Sequence, residues 1–385
     1  MKQKLQKILI GCVALLLVIC ASTFIDTRTA IKFASWGSKT EVDIIKPIIE
    51  EFEKENPTIR VEFMHIPQNY FQKIHLLFAS KTPPDVLFIN NLYLPIYADA
   101  GVLEPIGEWA EWDAYDDNTI RALSWKGKLY AVPRDVSNLV VFYNKDLFDK
   151  AGLEYPTEDW TLEEFLLVAQ ILTKNGVFGV SFEEEPLFFL PYLMSEGGGI
   201  VSDDLSNIII ENEKSKKGLE FYSNLRKKYH VAPLADESAS ATMAQLFLQE
   251  KIAMHITGRW LVPKYRAEAK FKWDIISFPK GDAGSVVPLD ASGWAVADKS
   301  KHKEEAYTFI NFISNKKNIE KLTESGLIVP ARRDVQTSKY FLDGKSPQNA
   351  QIFIDIINTS KPTPVSINYR EILDNLSPKF EKMFR

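Results

Sequence analysis

Two groups of polar and aromatic residues follow predicted strands, and their types suit contact with a small ligand. The first is the segment Trp36 to Glu41, which includes Lys39, and the second is the run Asn90-Asn91-Leu92-Tyr93. An asparagine side chain carries both a donor and an acceptor, so it suits hydroxyl groups, which are also both. The residues alone leave two alternatives open, because a strand-end tryptophan often belongs to the core and paired asparagines often cap a helix.

The chain lacks the common signatures of catalytic and metal sites. It contains no HExxH, CxxC, GxSxG or Walker sequence, and its five histidines show no metal-ligand spacing. The carboxylates of Asp135 and Glu185 are candidates for an acid and base pair that cuts glycosidic bonds. We therefore expect no metal, no cofactor and no catalytic residue, with a carbohydrate-active enzyme as the rival class.

The elements that must position these residues alternate between strands and helices. Ile31 and Phe33 alternate with their neighbours, a helix with apolar residues at helical spacing ends at Asn56-Pro57, and strands follow at 58–66 and 85–89. This order predicts a mainly parallel sheet with right-handed crossovers. Such sheets bind ligands beyond the carboxyl ends of their strands, where both groups lie.

Residues 1–21 are typical of an export signal. Three lysines precede an apolar run from Ile8 to Ala21 that is too short to span a bilayer comfortably. The segment ending in Cys20-Ala21 resembles a lipoprotein cleavage box with Cys20 lipidated, although Ile19 replaces the small residue of that pattern. The expected location is the periplasm or the outer face of the cytoplasmic membrane. Cleavage after Ala21 without lipidation, or an uncleaved anchor, stays open.

Composition indicates a large acidic body behind this signal. The chain has 385 residues, 45% of them hydrophobic and 25% charged, which is enough for about two domains. Removing residues 1–20 removes three lysines and no acid, so the formal net charge of -5 becomes -8. An acidic protein without a basic cluster is a poor nucleic-acid binder. Both cysteines lie within the signal, so no internal disulfide is expected.

The most informative stretch of the chain is residues 126–153, KGKLYAVPRDVSNLVVFYNKDLFDKAGL. It predicts a turn, a short strand closed by Pro133, a polar loop at 134–138, a buried strand at 139–143 and a helix from Asn144 to Gly152. This order is similar to extracellular solute-binding protein family 1, the maltose-binding-protein-like sugar-binding components of ABC transporters. In that family the segment is the first crossing between two lobes, and the loop before it faces the ligand.

Two further segments carry the resemblance in the right order. In QLFLQEKIAMHITGRW, residues 245–260, the family has a Gly-x-Trp whose tryptophan stacks on the sugar, and this chain has Gly258, Arg259 and Trp260. An indole face suits the flat apolar face of a pyranose. In PLDASGWAVADKSKHKEEAYTFINFIS, where the family recrosses to the first lobe, Gly293 and Trp294 would face the cleft, with a tryptophan packed in the sheet as the alternative.

The resemblance implies further ligand contacts by family position. They are Asn90, Asn91, Tyr93, Asp135, Ser137, Glu185, Phe188 and Tyr369. After Glu185-Pro186 this chain has Leu187 where the family has an aromatic, so the stacking role stays open between Phe188, Phe189 and Tyr192, with plain core residues as the alternative. Arg259 departs from the family pattern, since proteins that resemble this chain usually carry a small or neutral residue at that position. A buried cation needs a partner. Two partners stay open, a carboxylate such as that of Glu185 or Asp290, and an anionic group on the ligand.

The resemblance implies an α/β, two-lobed periplasmic-binding-protein fold with discontinuous lobes joined by a multi-crossing hinge. The expected lobes are 31–138 plus 293–328 and 139–290 plus 330–385. The expected function is capture of a sugar or oligosaccharide by hinge closure and its delivery to an ABC permease by a monomer. Two alternatives remain, the exported enzyme described above and a polyamine carrier that would use Asp135, Glu185 and Asp290.

Overall fold

Two β-sheets with helices packed around them form the body of the protein. The computed structural model describes residues 26–107, 111–234, 236–237 and 241–385. The predicted signal and Cys20 lie outside the described residues. Within the described ranges, every helix is too short or too polar to cross a bilayer.

Thirteen strands are found within the described residues. They are β1 Thr29–Ser35, β2 Ile59–His65, β3 Val86–Asn90, β4 Ser124–Trp125, β5 Lys128–Leu129, β6 Val132–Ser137, β7 Val140–Asn144, β8 Phe178–Val180, β9 Ile252–Thr257, β10 Trp273–Ile276, β11 Pro288–Val296, β12 Val329–Pro330 and β13 Lys361–Pro362.

Helices occupy most of the connections between these strands. They are α1 Lys39–Glu55, α2 Tyr70–Ala79, α3 Leu94–Asp99, α4 Asp117–Ala122, α5 Lys145–Ala151, α6 Leu162–Leu172, α7 Pro186–Ser195, α8 Glu213–Lys227, α9 Met243–Leu248, α10 Val262–Glu268, α11 Lys303–Ile313, α12 Lys316–Glu324, α13 Arg333–Gln336, α14 Ile352–Asp355 and α15 Tyr369–Phe384.

The first lobe is built on a seven-stranded sheet in the order β12-β6-β11-β3-β1-β2, with β13 paired to the start of β11. Strand β1 runs parallel to β2 and β3, as the alternation of strands and helices predicted. The long strand β11 returns antiparallel between β3 and β6. The carboxyl ends of β1 and β3 therefore lie close together, beside the middle of β11.

The second lobe is built on a four-stranded sheet in the order β10-β7-β9-β8. The chain enters it directly from β6 into β7 and leaves it between β10 and β11. Because β6 and β7 are separated only by Asn138 and Leu139, the first crossing is a short, nearly continuous strand connection. The predicted two-lobed α/β fold with a chain that crosses repeatedly is confirmed.

Local sequence signals place several helix ends as predicted. The side chain of Asn144 accepts a hydrogen bond from the N–H of Leu147 at the start of α5, and Gly152 ends that helix in the left-handed region at φ 67°. Thr161 and Glu164 form the predicted capping box of α6.

The predicted polar loop at 134–138 is wrong, because β6 continues through Pro133 to Ser137. Proline has no N–H for the ladder and is tolerated in a sheet mainly at edges and bulges. Here the register between β6 and β11 shifts between Ser292 and Gly293, next to Pro133. The consequence is that Arg134 and Asp135 are strand residues, buried in the sheet.

The third crossing lies later in the chain than residue 330, where the second lobe was expected from the sequence to resume. Strand β12 pairs with β6, and Val335 in α13 belongs to the core of the first lobe. Arg333 also bonds to Asp116 of the first lobe at 2.9 Å. Phe353 packs against Phe142 of β7, with ring centroids 6.3 Å apart, and Phe341 lies against Arg259, so the chain reaches the second lobe between Gln336 and Phe341.

Candidate functional site

A cavity of about 360 Å³ lies where the two lobes meet. Trp36, Glu41, Asn90 and Leu92 of the first lobe line one wall, and Leu187, Arg259 and Trp260 of the second lobe line the other. The crossing strands add Arg134, Asp135, Val136, Ser137, Asp290, Ser292 and residues 327–329. Seven sequence-predicted residues are thus brought together, namely Trp36, Glu41, Asn90, Asp135, Ser137, Arg259 and Trp260.

Glu41, Arg134 and Asp135 form a buried ion group on the first-lobe side of the cavity. The Nε of Arg134 donates to Asp135 Oδ1 at 2.7 Å, and its Nη1 donates to the Glu41 carboxylate. The guanidinium lies 3.9 Å from the ring centroid of Phe88. All three charged residues are less than 10% exposed. Burial raises the pKa of Asp135, and the adjacent Arg134 opposes that rise.

Trp36 stands at the end of β1 within an aromatic cluster. Its ring lies 4.2 Å from that of Phe88, 5.0 Å from that of Tyr70 and 5.5 Å from that of Phe71. The Tyr70 hydroxyl lies 2.8 Å from the carbonyl oxygen of Phe88 and 3.1 Å from that of Ala34. This hydroxyl ties the ends of β1 and β3 together, so Trp36 is held in place while it still lines the cavity.

Trp260 is positioned by the glycine two residues before it. A Cβ on Gly258 would lie 1.9 Å from the indole ring, so only glycine lets the ring fold back across its own backbone. The 3-10 turn Arg259–Leu261 follows directly after β9. Trp260 remains half-buried and lines the cavity opposite the first-lobe wall. Gly258 therefore acts by placing Trp260.

Arg259 lies beneath this wall with 2% of its surface exposed. None of its three guanidinium nitrogens has a hydrogen-bond partner among the described residues. Its guanidinium lies 4.1 Å from the ring centroid of Phe341 and 5.6 Å from that of Phe353. Burial lowers its pKa to about 9, with the neighbouring Arg266 adding to the effect. The group is therefore still a cation at neutral pH.

Asp290 bridges three parts of the chain at the second crossing. Its Oδ1 accepts hydrogen bonds from Asn91 Nδ2 of the first lobe at 2.9 Å and from Thr363 Oγ1 at 2.8 Å. Asn91 Oδ1 in turn accepts from the N–H of Ala291 at 3.1 Å. A second cavity of about 510 Å³ is lined by Asn91 and Thr363, so this bridge separates it from the 360 Å³ cavity that Asp290 lines.

We expect Asp290→Asn to change how stability depends on pH. Burial raises the pKa of Asp290 above its ordinary 3.8, so the folded state holds its proton to higher pH than the unfolded state does. The free energy of unfolding of the wild type should therefore fall relative to Asp290→Asn as the pH rises from about 4 towards 7. Urea unfolding of both proteins at several pH values measures this difference, and a difference that is constant with pH would contradict it.

A family model described as bacterial extracellular solute-binding protein matches residues 47–348. The chain belongs to this family. It is a family of binding proteins whose members work outside the cytoplasm, and this solute-binding protein shares its two-lobed architecture.

Relatives with known names are similar over most of the chain. The galactooligosaccharide-binding protein of Bacillus subtilis is 25% identical over 341 residues, covering 86% of this chain and 79% of its own. The maltodextrin-binding protein of the same organism is 24% identical over 343 residues, covering 85% and 78%. A Listeria monocytogenes ABC substrate-binding protein, solved in complex with cycloalternan, is 29% identical with a TM-score of 0.84, covering 93% of this chain and 94% of its own.

Trp294 does not face the cleft of this solute-binding protein. It is 1% exposed and lies opposite Phe88 and Val132 in the ladder, on the sheet face covered by the core of the first lobe. Gly293 is also structural, since a Cβ there would lie 2.2 Å from the carbonyl oxygen of Val132. Ser292 and Trp294 are two residues apart and therefore share a face of β11. Ser292 lines the cavity, whereas Trp294 lies further into the sheet, within the first-lobe core.

Six other predicted contacts lie away from the cavity. Lys39 is exposed and pairs with Asp43, and Glu185 is exposed where α7 begins. Tyr93 stacks on Phe71, with ring centroids 3.6 Å apart. The remaining three do not line the cavity either: Asn91 belongs to the Asp290 bridge, Phe188 is half-buried next to the cavity-lining Leu187, and the buried Tyr369 lines a separate cavity of about 530 Å³.

The main cavity-lining residues that were not predicted from the sequence are Arg134, Leu187 and the segment 327–329. Arg134 was assigned to a polar loop, where its pairing with Glu41 has no sequence signal. Leu187 follows Glu185-Pro186 at the position where the family carries an aromatic, so the signal was present in the spacing rather than in the residue type. Residues 327–329 immediately precede the third crossing, and only the fold brings them to the cavity.

Proposed function

We propose that this solute-binding protein captures a sugar or oligosaccharide between its lobes and delivers it to the membrane permease of an ABC importer. The observation that carries the proposal is the pair of half-buried tryptophans, Trp36 and Trp260, on opposite lobes of one cavity. Indole faces suit the apolar faces of sugar rings, and the polar side chains of Asn90 and Ser137 between them suit hydroxyl groups.

The names of the relatives support the same ligand class. Those names concern galactooligosaccharide, maltodextrin and cycloalternan, which are all saccharides. This protein is proposed to bind a saccharide as they do. We further propose that it works as a monomer, and that Cys20 anchors it to the membrane surface through lipid.

An enzyme with paired carboxylates is disfavoured by the positions of the candidates. Asp135 is held by Arg134 and buried, and Glu185 is exposed and does not line the cavity. The carboxylates of Asp135 and Glu185 are therefore not placed on either side of one glycosidic bond, as the acid and base of such an enzyme must be. A polyamine carrier is disfavoured because Arg259 puts an unpaired cation against the same cavity.

A saccharide screen tests the proposal. Residues 22–385 would be melted in the presence of neutral and acidic mono- and oligosaccharides, with spermidine as the polyamine comparison. We expect at least one saccharide to raise the melting temperature by mass action and to be recovered intact by chromatography after incubation. Stabilisation by spermidine alone, or cleavage of the saccharide, would contradict the proposal.

Hinge closure on binding is the second expectation. The lobes are joined by crossings at Asn138, near Asp290 and after Val329, and a rotation there leaves both sheets intact. Closure would bring Trp36 and Trp260 onto the ligand from both sides. Small-angle scattering should therefore show a smaller radius of gyration with saturating saccharide, and an unchanged profile would contradict closure.

A further inference from the structure

The unpaired guanidinium of Arg259 is the one feature of the cavity that a neutral sugar does not explain. A charged group removed from water is costly unless it gains a partner inside the protein. Arg259 is 2% exposed, and its Nε, Nη1 and Nη2 are all without hydrogen-bond partners among the described residues. A stack on Phe341 compensates only part of that cost.

Each carboxylate considered as a partner for Arg259 is either bonded to another residue or exposed at the surface. Asp343 receives two hydrogen bonds from Arg266, at 2.8 and 2.9 Å. Asp290 accepts from Asn91 and Thr363, and Glu185 is exposed at the start of α7. The brace that the sequence left open, a bond from Arg259 to Glu185 or Asp290, is therefore absent from the described part of the chain.

The three guanidinium nitrogens of Arg259 are buried, and none of them donates to a described residue, so their hydrogen-bonding capacity is unused. The guanidinium carbon lies over the ring of Phe341, 4.1 Å from its centroid. Stacking uses the face, whereas the N–H groups point outwards in the plane of the fork. A carboxylate fits that fork through two parallel hydrogen bonds, which a single hydroxyl does not reproduce. Arg259 and Trp260 both line the cavity, but the three guanidinium nitrogens are covered in this structure, so a ligand meets both residues only when the side chains that cover Arg259 move on binding.

The other charges of the cavity do not compete for such an anion. Arg134 is already paired with Glu41 and Asp135, so that ion group offers neither a free cation nor two free carboxylates. Arg259 alone among the cavity-lining residues that are described carries a charge without a polar partner.

We propose that Arg259 binds an anionic group of the ligand, and that the physiological ligand is an acidic saccharide, such as a uronate, whose ring stacks on Trp260 while its carboxylate meets the guanidinium. This inference rests on the proposed function and names the ligand class within it. A sugar phosphate offers the same anionic oxygens and is distinguished in the test.

The test uses matched ligands that differ only in the charged group. The wild-type protein, residues 22–385, is titrated calorimetrically with digalacturonate and α-1,4-galactobiose, with cellobiouronate and cellobiose, and with glucose 6-phosphate and glucose. We expect an acidic member to bind at least about tenfold more tightly than its neutral partner, since tenfold corresponds to one strong bond. The ligand pair with the largest preference for its acidic member, called the winning pair, shows whether the protein prefers a carboxylate or a phosphate.

Variants then assign that preference to Arg259. Arg259→Gln should bring the two members of the winning pair within about threefold of each other, a difference smaller than one hydrogen bond contributes. Arg60→Gln, at a half-exposed surface arginine of β2, removes the same charge far from the cavity and should retain the full preference.

Three results would separate the claims. Neutral members that bind the wild type as tightly as the acidic members would overturn the acidic-ligand inference and leave the proposed function standing. An acidic preference that survives in Arg259→Gln would also overturn it, because another group would then hold the anion. Failure of every saccharide, in these pairs and in the screen, would overturn the proposed function itself. The wild-type comparison decides the first point even where a variant does not fold.

Discussion

Arg134→Met is expected to lower the free energy of unfolding by about 3 to 5 kcal/mol, the range for removing one partner of a buried ion pair. Methionine fills much of the same volume, so the loss comes from leaving Glu41 and Asp135 buried without their cation. Urea unfolding at pH 7 of residues 22–385 measures it. The loss should shrink at low pH, because protonation removes the uncompensated carboxylate charge.

A matched control separates burial from charge. Arg333→Met removes a guanidinium that bonds to Asp116 at the surface, with about half of the arginine side chain exposed. Such a pair contributes about 0 to 1 kcal/mol. A similar small loss for Arg134→Met would show that the ion group is hydrated rather than buried, and would contradict the account of this wall of the cavity.

Trp260→Ala is expected to weaken saccharide binding by about 1 to 3 kcal/mol, or about 5- to 150-fold, because a large aromatic contact is lost. The melting temperature of the unliganded protein should change little, since Trp260 is half-buried at the cavity wall. Calorimetric titration with the best saccharide of the screen measures the loss. Gly258→Ala should also weaken binding, because a Cβ there displaces the indole ring.

The control for this prediction is a tryptophan that lines the other inter-lobe cavity. Trp125 lines the 510 Å³ cavity and donates a hydrogen bond to Asp99 at 3.0 Å. Trp125→Ala should leave saccharide affinity unchanged. Equal losses of affinity and of unliganded stability in Trp260→Ala would instead assign Trp260 to the core.

Much of the fold follows from local patterns in the sequence. The alternation of strands and helices predicted the parallel pairing of β1 with β2 and β3. Asn144, Gly152 and the pair Thr161 and Glu164 marked helix ends because capping depends on residues close in sequence. The resemblance supplied the two lobes and the crossings, which periodicity alone does not specify.

The site was predicted in part, and the errors share a cause. Trp36 and Asn90 were predicted from their positions at strand ends, where ligands bind in such sheets, and Trp260 was predicted from the Gly-x-Trp of the family. Trp294 was predicted to face the cleft, but it lies two residues further along β11 than the cavity-lining Ser292, where the first-lobe core covers the same face, and the sequence does not display how far that core extends. Arg134 was missed for a similar reason, because Glu41 lies 93 positions earlier and nothing local links the two.

A crystal structure of the protein with its best saccharide from the screen tests the central claim most directly. The account predicts a sugar ring against the indole of Trp260 in the 360 Å³ cavity, with Trp36 on the facing wall. A saccharide bound in the 510 Å³ cavity lined by Trp125 and Thr363, with the Trp260 cavity empty, would contradict it.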